Sequence, residues 1–246
     1  FFFKPKFSGW GMTTEHELPW KDLNENNIFV KASKDVKFFE FTKKTSGINN
    51  KNVDALLWRH WIIFSSTKHA IEFSNTNYFN FIECGVGDGV SAFFALREIS
   101  SNPKSMNNYS MYLYDAWDEM RETELLASEV TSVGRYRNLN IEITKQNLSE
   151  FLRNIIYQQG HIPESFNTTE KPPESINYLH IDLNSAIPTL KTLEYFFPRL
   201  EKGGVILFDD YGWSGYTDTK KIIDKFFSNK PGMLLALPTG QSIYFR

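Results

Sequence analysis

The segment Phe81-Ile82-Glu83-Cys84-Gly85-Val86-Gly87-Asp88-Gly89 constrains this chain more than any other. An apolar run ends in an acid, three glycines follow at alternate positions, and a helix-forming stretch begins at Val90. Glycines so spaced let a backbone turn sharply and approach a ligand that a side chain would exclude. A strand that gives way to a helix at such a point aims backbone N–H groups and the positive helix end at that ligand. The pattern predicts the first nucleoside-binding loop of an α/β domain, with Glu83 placed for hydroxyls or an amino group. A plain turn between a core strand and a core helix is the alternative that the loop alone leaves open.

Spacing narrows the ligand. A dinucleotide fingerprint reads G-x-G-x-x-G, whereas this loop reads E-x-G-x-G-x-G. No Lys-Ser or Lys-Thr pair follows the last glycine, which argues against a phosphate-binding P-loop. The chain has 246 residues, 41% hydrophobic and 16% aromatic, enough core for one large domain or two small ones. Its 27 basic and 29 acidic residues give a net charge of -2, against a nucleic-acid partner that needs a broad basic face. One cysteine, Cys84, excludes an internal disulfide and suits a reducing, cytoplasmic setting. No apolar run reaches transmembrane length. The chain starts at Phe1 without Met or a recognisable signal peptide, so the natural N-terminus is expected further upstream.

Residues 1–50 show little periodicity and are read as a cap or arm on a domain of residues 51–246. Val53, Leu56, Leu57, His60, Trp61 and Phe64 fall at helical spacing, predicting a helix over 53–73. Strands are expected at 78–84, 110–114, 141–144, 176–181, 205–208, 233–237 and 242–245. Helices are expected at 90–99, 122–136, 148–158, 189–200 and 218–227, the third of these capped by Asn147. Residues 160–175 hold Gly160, Pro163, Pro172 and Pro173 and read as a loop. Alternating strands and helices call for a Rossmann-like, doubly wound, mostly parallel seven-stranded sheet with a C-terminal antiparallel strand. In such a sheet the ligand binds beyond the carboxyl ends of the strands. Glu83, Asp115, Asp182, Asp209 and Asp210 all follow predicted strands there. Each alone reads equally as a helix cap; five together predict a shared rim.

Adjacent carboxylates repel unless a positive charge separates them. Asp209-Asp210, with Asp182 from the neighbouring strand, would suit a hard divalent cation with oxygen ligands. The order and spacing of the glycine loop, Leu113-Tyr114-Asp115-Ala116-Trp117-Asp118, His180-Ile181-Asp182-Leu183-Asn184, Gly203-Gly204, Asp209-Asp210-Tyr211 and Pro238-Thr239-Gly240-Gln241 resemble the macrocin O-methyltransferase family. That family belongs to the metal-dependent class I S-adenosylmethionine (SAM) methyltransferases acting on sugars of natural products. The resemblance spans roughly residues 55–246.

It implies that the methionine end of SAM lies along Glu83, Gly85, Gly87 and Gly89. By the same resemblance Asp115 binds the ribose, Trp117 flanks the adenine, and Gln146 and Asn147 lie near the adenine edge. Asp182, Asp209 and Asp210 would hold Mg²⁺ against the acceptor hydroxyl, and Asp182 would be catalytic. Core packing accounts for Trp117 equally well. Better-known members read IDGD where this chain has Ile181-Asp182-Leu183-Asn184, and asparagine takes no proton at neutral pH. His180 is then the candidate base, since strand alternation puts it on the face of Asp182; a hydrogen-bonded core histidine is its other reading.

The resulting expectation is methyl transfer from SAM to a hydroxyl of a sugar-like small molecule, with a possible homo-oligomer and no membrane partner. Trp10, Trp20 and Phe38 to Phe41 are candidates for stacking on the sugar or for core packing. A nucleotide-binding oxidoreductase and an inactive methyltransferase-fold scaffold are the competing classes.

Overall fold

The computed structural model describes residues 18–34, 53–167 and 171–246. Its elements are α1 (Ile28–Ser33), α2 (Val53–Phe73), β1 (Phe79–Cys84), α3 (Val90–Ser101), β2 (Tyr109–Asp115), α4 (Ile141–Asn147), β3 (Ile155–Gln159), β4 (Ile176–Ile181), α5 (Ala186–Phe196), β5 (Leu200–Phe208), α6 (Thr217–Phe227), β6 (Met233–Ala236) and β7 (Ser242–Phe245). Seven strands form one sheet in the order β3-β2-β1-β4-β5-β7-β6. The first five run parallel, and β7 lies antiparallel to both β5 and β6. The expected Rossmann-like architecture is therefore present.

Both faces of the sheet are covered. Phe79, Phe81, Tyr178, Val205 and Leu207 pack with α2 and α3 on one side. Ile82, Cys84, Leu179, Ile181, Ile206 and Phe208 pack with α5 and α6 on the other. This period-2 split explains why the central strands read as near-continuous apolar runs: each residue meets a helix layer on its own side. Chain order runs outward from β1 to β3 and then returns to β4, so the crossovers diverge between β1 and β4. That divergence opens a crevice at their carboxyl ends.

Those ends are tied together one residue past the ladder. The Gly85 N–H donates to Tyr114 O at 2.9 Å, Asp182 N–H to Cys84 O at 2.8 Å, Asp209 N–H to Ile181 O at 2.9 Å and Gly160 N–H to Asp115 O at 2.9 Å. Each turn therefore leaves the sheet from a fixed point, which makes the rim rigid.

Three expectations between residues 120 and 160 are corrected. Ile141-Glu142-Ile143-Thr144 alternates like a strand, yet Asn140 accepts a hydrogen bond from the Glu142 N–H at 2.9 Å and caps α4 instead. Residues 148–158, expected as one helix, form a 3₁₀ stretch at Ser149–Asn154 and then β3. Local sequence suited helix, but the open edge of β2 pairs with Ile155 to Gln159, a tertiary effect that propensity does not register. Residues 122–136 form only short 3₁₀ turns, because Leu125 and Leu126 are extended and interrupt the run and Val133 leaves helical geometry.

Residues 18–34, the described part of the expected arm, share the core. Asn27 caps α1 by accepting from the Phe29 and Val30 N–H groups. Phe29 is fully buried and meets Trp61 edge-on at 4.9 Å and Phe64 at 5.6 Å. Trp20 is buried against Trp58 at 5.1 Å, so its aromatic surface serves packing. Trp10 and Phe38 to Phe41 lie outside the described residues. Phe29→Ala should destabilise the chain by about 3–5 kcal/mol, the usual cost of emptying a packed aromatic site; denaturant unfolding measures it.

Candidate active site

A cleft of about 1570 Å³ opens at the carboxyl ends of β1, β2, β4 and β5. It exceeds the usual range for a single small ligand, leaving room for a cofactor and an acceptor together. Its walls include Gly85 to Asp88 and Asp115 at one end, and Asp182, Asn184, Asp209 and Asp210 at the other.

At the first end the glycines have distinct tasks. Gly85 sits at φ 85°, and a β-carbon there would fall 1.8 Å from the Asp182 carbonyl oxygen. Only glycine lets β1 and β4 meet this closely. Gly87, at φ 54°, has no atom within 4 Å of a would-be β-carbon; it leaves the cleft open beside bare backbone. Gly89 caps α3 and is not among the cleft-lining residues.

Asp115 organises this loop. Its Oδ2 accepts from the Val86 N–H at 2.6 Å and the Gly87 N–H at 2.9 Å, and its Oδ1 accepts from the Trp117 N–H at 2.6 Å. Burial pushes its carboxyl above the ordinary range, while the three amides favour the charged form and offset the rise. Three bonds leave one of a carboxylate's four lone-pair directions for a ligand.

Trp117 does not enter the cleft. It is 5% exposed, and its indole N–H bonds Gly87 O at 3.0 Å and Thr144 Oγ1 at 2.8 Å. It props the glycine loop from behind. Gln146 and Asn147 do line the cleft, from the end of α4 rather than from a strand. The Asn147 amide donates to Asp88 O at 2.9 Å.

Glu83 and His180 are also absent from the cleft wall. They are paired residues of β1 and β4, 1% and 0% exposed. His180 Nδ1 lies 3.5 Å from Glu83 Oε1, and its Nε2 lies 3.9 Å from Asp209 Oδ1. Burial raises the Glu83 carboxyl, with the neighbouring imidazole pulling the other way. His180, expected to share the face of Asp182 toward the site, instead packs with Glu83 and Asp209 on the α2 face, where it is fully buried. His180 can influence the cleft only through Asp209.

At the second end Asp182, Asp209 and Asp210 bring one oxygen each within 4.8 Å of one another. All are hard oxygen donors, which suits Mg²⁺ or Mn²⁺. Arg59 of α2 forms an ion pair with Asp209 Oδ2, and the Gln241 amide donates to Asp209 Oδ1 at 2.7 Å. Both Asp209 oxygens thus have partners, and Asp182 and Asp210 present the freer ones. Asn184, at φ 56°, donates its backbone N–H to Asp210 Oδ2 at 2.9 Å and its amide to Asp182 Oδ1 at 3.2 Å. Burial, then the Asp182 charge, pushes the Asp210 carboxyl well above the ordinary range.

Four cleft residues, Arg59, Tyr136, His161 and Tyr216, are not marked by the sequence. Arg59 lies within the 53–73 helix, and nothing local marks it; only the packing of α2 over the strand ends selects it. His161 follows β3, and its Nδ1 sits 2.6 Å from Glu124 Oε1. Placing the third strand correctly would have put it on the rim. Tyr136 and Tyr216, from loops, contact Asn184.

A glycine loop anchored by the β2 acid at the switch point of this sheet defines a Rossmann-like methyltransferase fold. A family model described as a methyltransferase domain matches residues 82–211, more than half of the chain, and the chain belongs to that family. Among solved structures, the O-methyltransferase NovP is similar at TM-score 0.66 and 15% identity, over 77% of this chain and 80% of NovP. The calicheamicin methyltransferase CalS11 is similar at TM-score 0.61 and 15% identity, over 98% and 99%. An apo structure of CalS11, described as a TDP-rhamnose 3'-O-methyltransferase, gives TM-score 0.54 and 14% identity, over 94% and 96%. Identities this low show the fold. No curated protein matches. Among the described residues no helix is long and apolar enough to cross a membrane.

The raised Asp210 carboxyl has a testable sign. It favours folding only while protonated, so its contribution is present below about pH 4 and is lost as pH rises through its folded value. In metal-free buffer, Asp210→Asn should raise the melting temperature at pH 7 by roughly 2–4 °C, the shift of about 1 kcal/mol in a chain this long. Calorimetric scans from pH 7 to 4 should show the gain fading.

Proposed function

We propose that this chain is a SAM-dependent O-methyltransferase, assisted by a divalent cation, that methylates a hydroxyl of a sugar or sugar-containing small molecule. We also infer kinship with the macrocin O-methyltransferase family. One observation carries the reading: a nucleoside-type loop and a three-carboxylate group face each other across a single cleft. The similar structures include a TDP-rhamnose 3'-O-methyltransferase, which supports a sugar hydroxyl as acceptor.

In this reading Gly85, Val86 and Gly87 approach SAM with bare backbone, and Asp115 accepts from one ribose hydroxyl with its remaining lone pair. Gln146, Asn147 and His161 are placed for the adenine. Bound SAM would supply the methyl as a sulfonium electrophile. Asp182 and Asp210 would hold the cation, with Asp209 as third ligand oriented by Arg59 and Gln241. A bound Mg²⁺ would act as a Lewis acid on the acceptor hydroxyl. Asn184 accepts no proton; in this reading Asp182 or Asp210 would take the hydroxyl proton. The protein's main contribution is to hold the acceptor oxygen in line with the methyl group.

Calorimetry tests this. SAM should bind the wild type in the micromolar range, roughly -8 kcal/mol. Mg²⁺ should bind the wild type, and Asp182→Asn should weaken that binding by roughly tenfold or more. Turnover is then screened on dTDP-rhamnose and a glycoside panel. Absence of SAM binding would sink the proposal; SAM binding with no turnover on any acceptor would favour a scaffold.

A further inference from the structure

Four side chains from three segments form a hydrogen-bond network at the carboxylate end of the cleft. Arg135 and Tyr136 lie in the loop between β2 and α4, Asn184 follows β4, and Tyr216 precedes α6. Arg135 Nη2 donates to the Tyr136 hydroxyl at 3.1 Å. The Tyr136 hydroxyl donates to Asn184 Oδ1 at 2.9 Å, and the Tyr216 hydroxyl donates to the same oxygen at 2.6 Å. The Arg135 charge also acts on the Tyr216 hydroxyl.

The proton order is forced. An amide oxygen only accepts, so both tyrosines turn their protons toward Asn184, and the Tyr136 oxygen accepts from Arg135. The Asn184 oxygen takes both, while its amide and backbone N–H groups hold Asp182 and Asp210. An aspartate at 184 would still accept from the tyrosines, but it would lose the donor to Asp182 and add a fourth carboxylate to the group. Asparagine also tolerates the left-handed backbone found here. All four residues of the network line the cleft.

We propose that Asn184 is a positioning residue, a latch that ties the 133–140 loop to the 211–216 segment across the cleft, and that Tyr136 and Tyr216 form the wall seating the methyl acceptor beside Asp182 and Asp210. The acceptor role rests on the methyl-transfer reading above; the latch itself does not. The departure at position 184 thus trades a proton acceptor for a structural hub.

Hydrogen exchange on the full chain tests the latch. Tyr216→Phe removes one hydroxyl and nothing from the opposite loop. Exchange across residues 133–140 should nevertheless accelerate by roughly 5- to 10-fold, the effect of losing one hydrogen bond. Tyr136→Phe should do the same to residues 211–216, and Asn184→Ala to both. S-adenosylhomocysteine affinity should stay within about 2-fold in the Tyr→Phe variants, since the glycine loop is not in the network. With the acceptor found by turnover screening, KM should rise roughly 5- to 10-fold with kcat within about 2-fold.

Unchanged exchange on the far side of the cleft in both Tyr→Phe variants overturns the proposal. An Asn184→Asp chain with wild-type exchange and faster turnover would also overturn it, by showing that position 184 serves as a base. Failure of the wild type to bind S-adenosylhomocysteine would sink the methyl-transfer reading, and the exchange data would still decide the latch.

Discussion

Strands β1 and β4 meet at Gly85 with no room for a side chain, and the rest of the site depends on that contact. The Asp182 carbonyl occupies the space a β-carbon would need, and the Asp182 N–H bonds the end of β1. The two halves of the sheet diverge from this point. On one side β1 and β2 present the glycine loop around Asp115. On the other, β4 and β5 present three carboxylates. A wider junction would separate these halves, and a cofactor bound to one could not reach an acceptor bound to the other.

Charge is the second constraint. Burying carboxylates is costly unless each finds donors. Asp115 meets this with three backbone amides, Asp209 with Arg59 and Gln241, and Asp210 with the Asn184 N–H. Asp182 and Asp210 are left with the least compensation, and they face the cleft. A buried row of Glu83, His180 and Asp209 runs beneath the site on the α2 side. The protein thus keeps acidic oxygens where a cation or hydroxyl would need them and neutralises the others from behind.

Much of the fold was legible in the sequence because its signals are local. The apolar runs at β1, β4 and β5 are long, and the glycines and acids fall at their ends. The 141–159 region was not legible. Ile141 to Thr144 looks like a strand, and only the Asn140 cap and the free edge of β2 turn the assignment around. Among site residues, Gln146 and Asn147 reach the cleft although the reasoning that placed them after a strand does not hold. Trp117 and Glu83, expected to contact the cofactor, are buried and do not line the cleft wall.

The sequence by itself determined the central strands β1, β2, β4 and β5 and the run of acids along their ends, since these follow from residue periodicity and glycine placement within short windows. Only the tertiary structure decided which acids face solvent, which cation answers them, and what Asn184 does. Arg59 is distant in sequence from Asp209, and Tyr136 and Tyr216 come from irregular loops. Their meeting depends on how α2 and two turns pack against the strand ends, and no local pattern encodes that packing.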